Sequence, residues 1–174
     1  MRKQLGRKVS IVVAIATIGL CTGSVSAQSP NIGAERVAAS AFLGTWELDL
    51  SRMPTTYGPP PKRVVYTFAD IGSGQWRTTV DITAPDDSLR HMAVSYRRDG
   101  TMVRSEADTS EADSAAILTP TPGVLVMNLA RAKMLGSVRV YTLSPDARIM
   151  TESAAAVNAQ GEPFIRNFYF KRIG

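Results

Sequence analysis

From residue 42 onward, apolar and polar residues alternate in short runs separated by turn formers. A period of two sends successive side chains to opposite faces and predicts half-buried strands. The first such segment, 44–50, carries Trp46 and Leu48 on one face. Residues 62–71 place Val64, Tyr66 and Phe68 together, 75–83 place Trp76, Thr78, Val80 and Ile82, and 89–98 place Met92, Val94 and Tyr96. Asp99-Gly100 is the strongest hairpin signal, because glycine accepts the positive φ of a type I′ turn. Residues 101–106 return from it. Further strands are expected at 115–119 and 123–129, on either side of Pro120-Thr121-Pro122, then at 137–143, 148–157 and 163–173. Only 129–135 has a helical look, and Gly136 would end it.

About ten short strands joined by hairpin-type turns predict an antiparallel meander. Open sheets leave unpaired edges, and closure removes them. The expected fold is therefore all-β, an antiparallel up-and-down barrel, with a β-sandwich as the alternative. Between the first two strands, Pro54 and the run Gly58-Pro59-Pro60-Pro61 exclude residues 52–61 from a sheet interior.

The N-terminus changes how composition is read. Arg2, Lys3, Arg7 and Lys8 precede an apolar run at 11–20 and a small-x-small exit, Val25-Ser26-Ala27. These are the parts of a cleavable signal peptide. The run is about half the ~20 residues needed to span a bilayer. Residues 1–27 are thus expected to be a leader, 28–40 a polar lead-in and 41–174 the barrel domain, in an exported protein, periplasmic or secreted. Cys21 raises lipid attachment, but Leu20 is bulky where a small residue is needed. The formal charge of +5 comes from 20 Lys and Arg against 15 Asp and Glu. Without the four leader cations it falls to +1, so no nucleic-acid footprint remains. Removing the leader also removes the single cysteine, so the exported form has no disulfide and no thiolate metal site. His91, the single histidine, excludes a multi-histidine zinc site.

Gly44-Thr45-Trp46 resembles the glycine-x-tryptophan signature of lipocalin-like barrels. The order of later features strengthens the likeness: Gly58-Pro59-Pro60-Pro61, then Val64-Val65-Tyr66, then Tyr96-Arg97-Arg98-Asp99-Gly100, then Asn158 to Pro163 before an aromatic last strand. The pattern is similar to that of small secreted bacterial lipocalin-like (calycin-type) proteins of unassigned function. The resemblance implies that Trp46 plugs the closed end of the barrel and meets a basic side chain, Arg172 or Lys171. It also implies that the loop at 52–61 borders the cavity mouth, with Met53 and Tyr57 beside it.

The candidate ligand contacts are the aromatic and charged members of the inward faces: Tyr66, Phe68, Tyr96, Arg166 and Phe168. Arg166 shares a face with Phe164, Phe168 and Phe170. Pointing inward, it would need an anion, either a ligand carboxylate or Glu152 across the preceding hairpin, unless it snorkels to the rim. The acidic run from Asp108 to Asp113 lacks the glycine and terminal glutamate of a calcium loop and reads as solvated. His91 lies opposite the apolar face of its strand and has no catalytic partner in sequence. The expected protein is a monomeric, non-enzymatic binder of a small apolar or amphipathic molecule, without metal or cofactor. A filled barrel with an interaction or cell-envelope role is the alternative.

Overall fold

The computed structural model of the chain describes residues 41–174. The leader, Cys21 and the lead-in lie outside the described residues. The strands are β1 (Gly44–Leu48), β2 (Arg63–Gly72), β3 (Gln75–Thr83), β4 (Leu89–Arg97), β5 (Asp99–Arg104), β6 (Glu106–Ala107), β7 (Ser114–Thr121), β8 (Val124–Arg131), β9 (Met134–Leu143), β10 (Ile149–Val157) and β11 (Pro163–Arg172). They form one antiparallel sheet in the order β5-β7-β8-β9-β10-β11-β1-β2-β3-β4-β6. The first strand pairs with the last through Trp46 opposite Arg172 and Leu48 opposite Phe170. At the other end of the order, β5 and β6 follow one another with only Ser105 between them. The segment Asp99 to Ala107 therefore acts as one bent strand. Its first part ladders with β7 and its last two residues with β4, which brings the barrel close to full closure. No described helix is long and apolar enough to cross a membrane.

Three local expectations need correction. The Asp99-Gly100 turn is present, but only Gly100 is left-handed, with φ 81°, so the turn is not type I′. The strands it joins separate at once, because β5 takes its hydrogen bonds from β7. Residues 129–135 are not helical. Ala132 and Lys133, at φ 51° and 66°, form a tight turn joining β8 to β9. Here hairpin pairing overrides the weak helical preference of an Ala-, Leu- and Arg-containing stretch. Pro120 does not end its strand but lies where the β7–β8 register shifts between Leu118 and Thr121, a bulge that needs no donor from proline.

Inward side chains from all around the barrel pack its closed end solid. Phe42, Trp46, Phe68, Tyr96, Ile117, Leu125, Tyr141 and Met150 are fully or almost fully buried there. Trp46 donates its indole N–H to the Phe42 carbonyl at 2.8 Å. The Arg172 guanidinium lies over the indole, 4.1 Å from the ring centroid. It donates to the carbonyls of Leu43 at 2.7 Å, Ala147 at 2.9 Å and Ala41. Lys171, the other candidate partner for Trp46, faces outward and pairs with Asp49 at 2.8 Å.

This close approach explains the signature glycine. At Gly44, φ is 124°, and an added Cβ would lie 2.4 Å from the Gly174 carbonyl oxygen and 2.6 Å from Arg172 Nη1. Gly44→Ala is therefore expected to cost on the order of 1–3 kcal/mol, seen as a lower urea midpoint. Gly136→Ala, where the nearest atom would be 3.6 Å away, should stay within about 0.5 kcal/mol of the parent.

Candidate functional site

Above this floor the barrel is hollow. A cavity of about 400 Å³ opens between β1, β2, β3, β9, β10 and β11, within the few-hundred-Å³ size typical of small-molecule sites. Leu48 and Phe170 form its base, Val64, Val80, Ile82 and Phe168 part of its wall, and Met53 and Pro61 its edge. A side chamber of about 50 Å³ shares Tyr66, Val80, Met92, Glu111 and Arg139 with it and reaches toward β4 and β7. Alternation along each strand produces this lining, because every second residue must face in.

The loop expected at the mouth is there. Two 3-10 turns, Leu50–Arg52 and Thr55–Tyr57, carry the chain across from β1 to β2. Met53 lines the cavity. Tyr57 packs edge-on against Phe168, with ring centroids 5.5 Å apart, and its hydroxyl accepts from the Asn167 backbone N–H at 3.1 Å. The loop is thereby pinned to β11. The most exposed large apolar side chains, Leu89, Met134, Leu135, Val157 and Ile165, also belong to this end of the barrel. A molecule entering the cavity would cross an apolar rim.

The five candidate ligand contacts divide. Tyr66, Arg166 and Phe168 line the cavity together. Phe68 and Tyr96 do not: they lie in the packed floor, where the Tyr96 and Thr78 hydroxyls hydrogen-bond at 2.8 Å. They stand further along the inward faces, toward the closed end, and sequence alternation does not reveal depth. Trp46 and Arg172 also lie outside the cavity. His91 is on the outer surface, with Nδ1 2.6 Å from Asp81 Oδ1. Among the described residues, no group of three metal-ligating side chains comes together.

Arg166 does not pair with Glu152. The residue opposite it is Ala154, whereas Glu152 faces Phe168. The guanidinium instead lies 4.9 Å from the Tyr57 ring centroid and 5.0 Å from that of Phe164. The cation beside Glu152 is Arg139 of β9, which the sequence reading did not single out. Its Nη1 donates to the Tyr66 hydroxyl at 2.9 Å and sits 3.5 Å from Glu152 Oε1, while Nη2 donates to Glu111. Glu111 belongs to the acidic run, which is therefore not simply solvated: it reaches inward, and Ala112 beside it is buried. Asp108 holds the run to β4 through Arg90 at 2.7 Å. A signal for Arg139 was available, since 137, 139, 141 and 143 form one face containing Tyr141 and Leu143. Val138 and Val140 make the opposite face equally plausible as the buried one.

Glu152 is only 3 % exposed. Burial raises its pKa above the usual glutamate range; Arg139 and the Tyr141 hydroxyl pull it back in part, Glu111 pushes it up and the Tyr66 hydroxyl lowers it slightly. Burial likewise raises the Tyr66 and Tyr141 phenols. Both stay neutral in the cell's pH range.

No protein-family model matches the chain, and no curated protein matches it. Solved structures do match, in fold alone. Echinococcus granulosus fatty-acid-binding protein 1 superposes with a TM-score of 0.53 at 14 % identity, over 78 % of this chain and 99 % of that one. The fluorescent protein UnaG superposes with a TM-score of 0.54 at 9 % identity, over 78 % and 99 %.

The raised Glu152 pKa has a defined consequence for stability. The unfolded chain ionises this group at an ordinary glutamate pKa, and the folded chain only at higher pH. Between the two values the folded state holds the extra proton, so stability falls as pH rises through this window and stays lower above it. Glu152→Gln removes the penalty. Its melting temperature should equal or exceed the parent's at neutral pH, with the advantage shrinking toward about pH 4. Surface carboxylates with lowered pKa values are common to both proteins and cancel in the difference.

Proposed function

We propose that this chain is an exported carrier that holds one small apolar or amphipathic molecule in its barrel cavity. The observation that carries the reading is the open, mainly apolar space of about 400 Å³ above a close-packed floor. Burying a ligand there exchanges apolar wall and ligand surface for water release, worth about 25 cal/mol per Å². A filled barrel with an interaction or envelope role has less support, because packing fills only the end around Trp46. The fatty-acid-binding protein among the fold neighbours is consistent with a carrier. We read the site as binding rather than catalytic, since its polar groups, Arg139 with Glu111, Glu152 and Tyr66, offer no nucleophile and base in reach of each other.

Titration with an environment-sensitive apolar fluorophore should give saturable binding at one site. Ala154→Trp places an indole in the cavity from β10. It should weaken binding at least about tenfold, or ~1.4 kcal/mol, without lowering the melting temperature by the amount a packing defect would. Unchanged affinity in this variant would place the probe elsewhere. For export, the basic, apolar and small-residue parts of the leader are the support. Intact-mass measurement of protein recovered outside the cytoplasm is expected to find a chain beginning at Gln28.

A further inference from the structure

The polar end of the cavity has an unusual charge balance. Among the described residues, two cations line the cavity, Arg139 and Arg166, both opposite Ala154 in register, and two carboxylates already surround Arg139. Glu111 takes a hydrogen bond from Nη2, and Glu152 Oε1 lies 3.5 Å from Nη1, which itself donates to Tyr66. With both acids ionised, the cluster carries one negative charge in excess. Glu152 is the member held most weakly: among the described residues the Tyr141 and Tyr66 hydroxyls are its neutral donors, neither at full hydrogen-bond geometry, although it is almost completely buried and lines the cavity. The fully buried Tyr141 hydroxyl, from the same inward face of β9 as Arg139, has no partner at full hydrogen-bond geometry among the described residues. Buried carboxylates without well-placed donors are costly and rare, and here the open side of the carboxylate is the cavity itself.

An anionic head at this end would bring a third negative charge into a desolvated site. The guanidinium offers it little, because its Nη groups are already engaged. A cationic donor would do the reverse. It would give Glu152 a charge-assisted hydrogen bond of the strong kind and, with both acids ionised, bring the cluster to neutrality.

We propose, resting on the carrier reading above, that the cavity takes an amphiphile with a basic amine head, held inward as an ammonium on Glu152. Its apolar part runs toward the mouth along Val64, Ile82, Phe168 and Met53. Arg166 enforces this direction. It lies two residues nearer the mouth than Phe168, the residue facing Glu152, and stacks on Tyr57 and Phe164. An ammonium is repelled there and stabilised only further in. Burial and Glu111 raise the Glu152 pKa, while Arg139 and the Tyr141 and Tyr66 hydroxyls lower it; both phenols remain neutral. An ammonium favours the ionised form of Glu152, so any proton held there leaves to solvent on binding.

The test is calorimetric titration with a primary alkylamine, an alcohol and an alkanoate of one chain length. The amine should bind at least about tenfold more tightly than the other two. Its enthalpy should depend on the buffer in the sense of proton release. Glu152→Gln should collapse the difference between amine and alcohol. Tightest binding by the alkanoate, abolished in Arg166→Ala, would overturn the proposal in favour of an anion held at the mouth. Equal affinities for all three would overturn it as well, while leaving a carrier selective for the apolar part alone. Binding of none would remove the carrier reading itself. The ranking on the unaltered protein decides the matter even where the variant is poorly folded.

Discussion

The architecture depends on the seam between the first strand and the last. A meander becomes a barrel only when its ends meet, and here they meet with Trp46 opposite Arg172. The arginine covers the indole and gathers the carbonyls of Ala41, Leu43 and Ala147 around one end of the barrel. That grip leaves no room for a side chain at residue 44, so the backbone itself forms the close contact. Once this end is shut and filled, the inward faces of the remaining strands must either pack or enclose space. They do the first near Trp46 and the second near the loop at 52–61.

Where packing gives way to space, the molecule concentrates its buried charge. Tyr66 belongs to both regions: its ring meets Phe68, Tyr141 and Phe170, while its hydroxyl receives Arg139. Through Arg139 the acidic run is tied to the barrel interior, although that run is distant in sequence from β9 and β10. Burying an arginine requires compensation, and the chain provides it from two separate elements. The excess of acid over base that results is the chief chemical feature of the cavity.

Much of the strand pattern was legible in the sequence because one face of each strand is wet and the other dry. The inward sets Val64-Tyr66-Phe68, Trp76-Thr78-Val80-Ile82, Met92-Val94-Tyr96 and Phe164-Arg166-Phe168-Phe170 follow from alternation alone. Alternation is silent about position along the barrel axis, so Phe68 and Tyr96 looked as available to a ligand as Phe168. It is also silent where both faces of a strand are apolar. Arg139 stands between Val138 and Val140 on a strand whose two faces are equally apolar, so alternation left its direction open.

The sequence by itself thus determined the period-two faces, the place of the proline-rich loop and the glycine-tryptophan start of the barrel. Each is a local consequence of backbone geometry and side-chain polarity. The tertiary structure alone decided which cation the buried glutamate meets, how far the core fills the barrel, and that the acidic run turns inward. These depend on register between strands far apart in the chain and on the depth at which each pair falls. Neither quantity is written in any one segment.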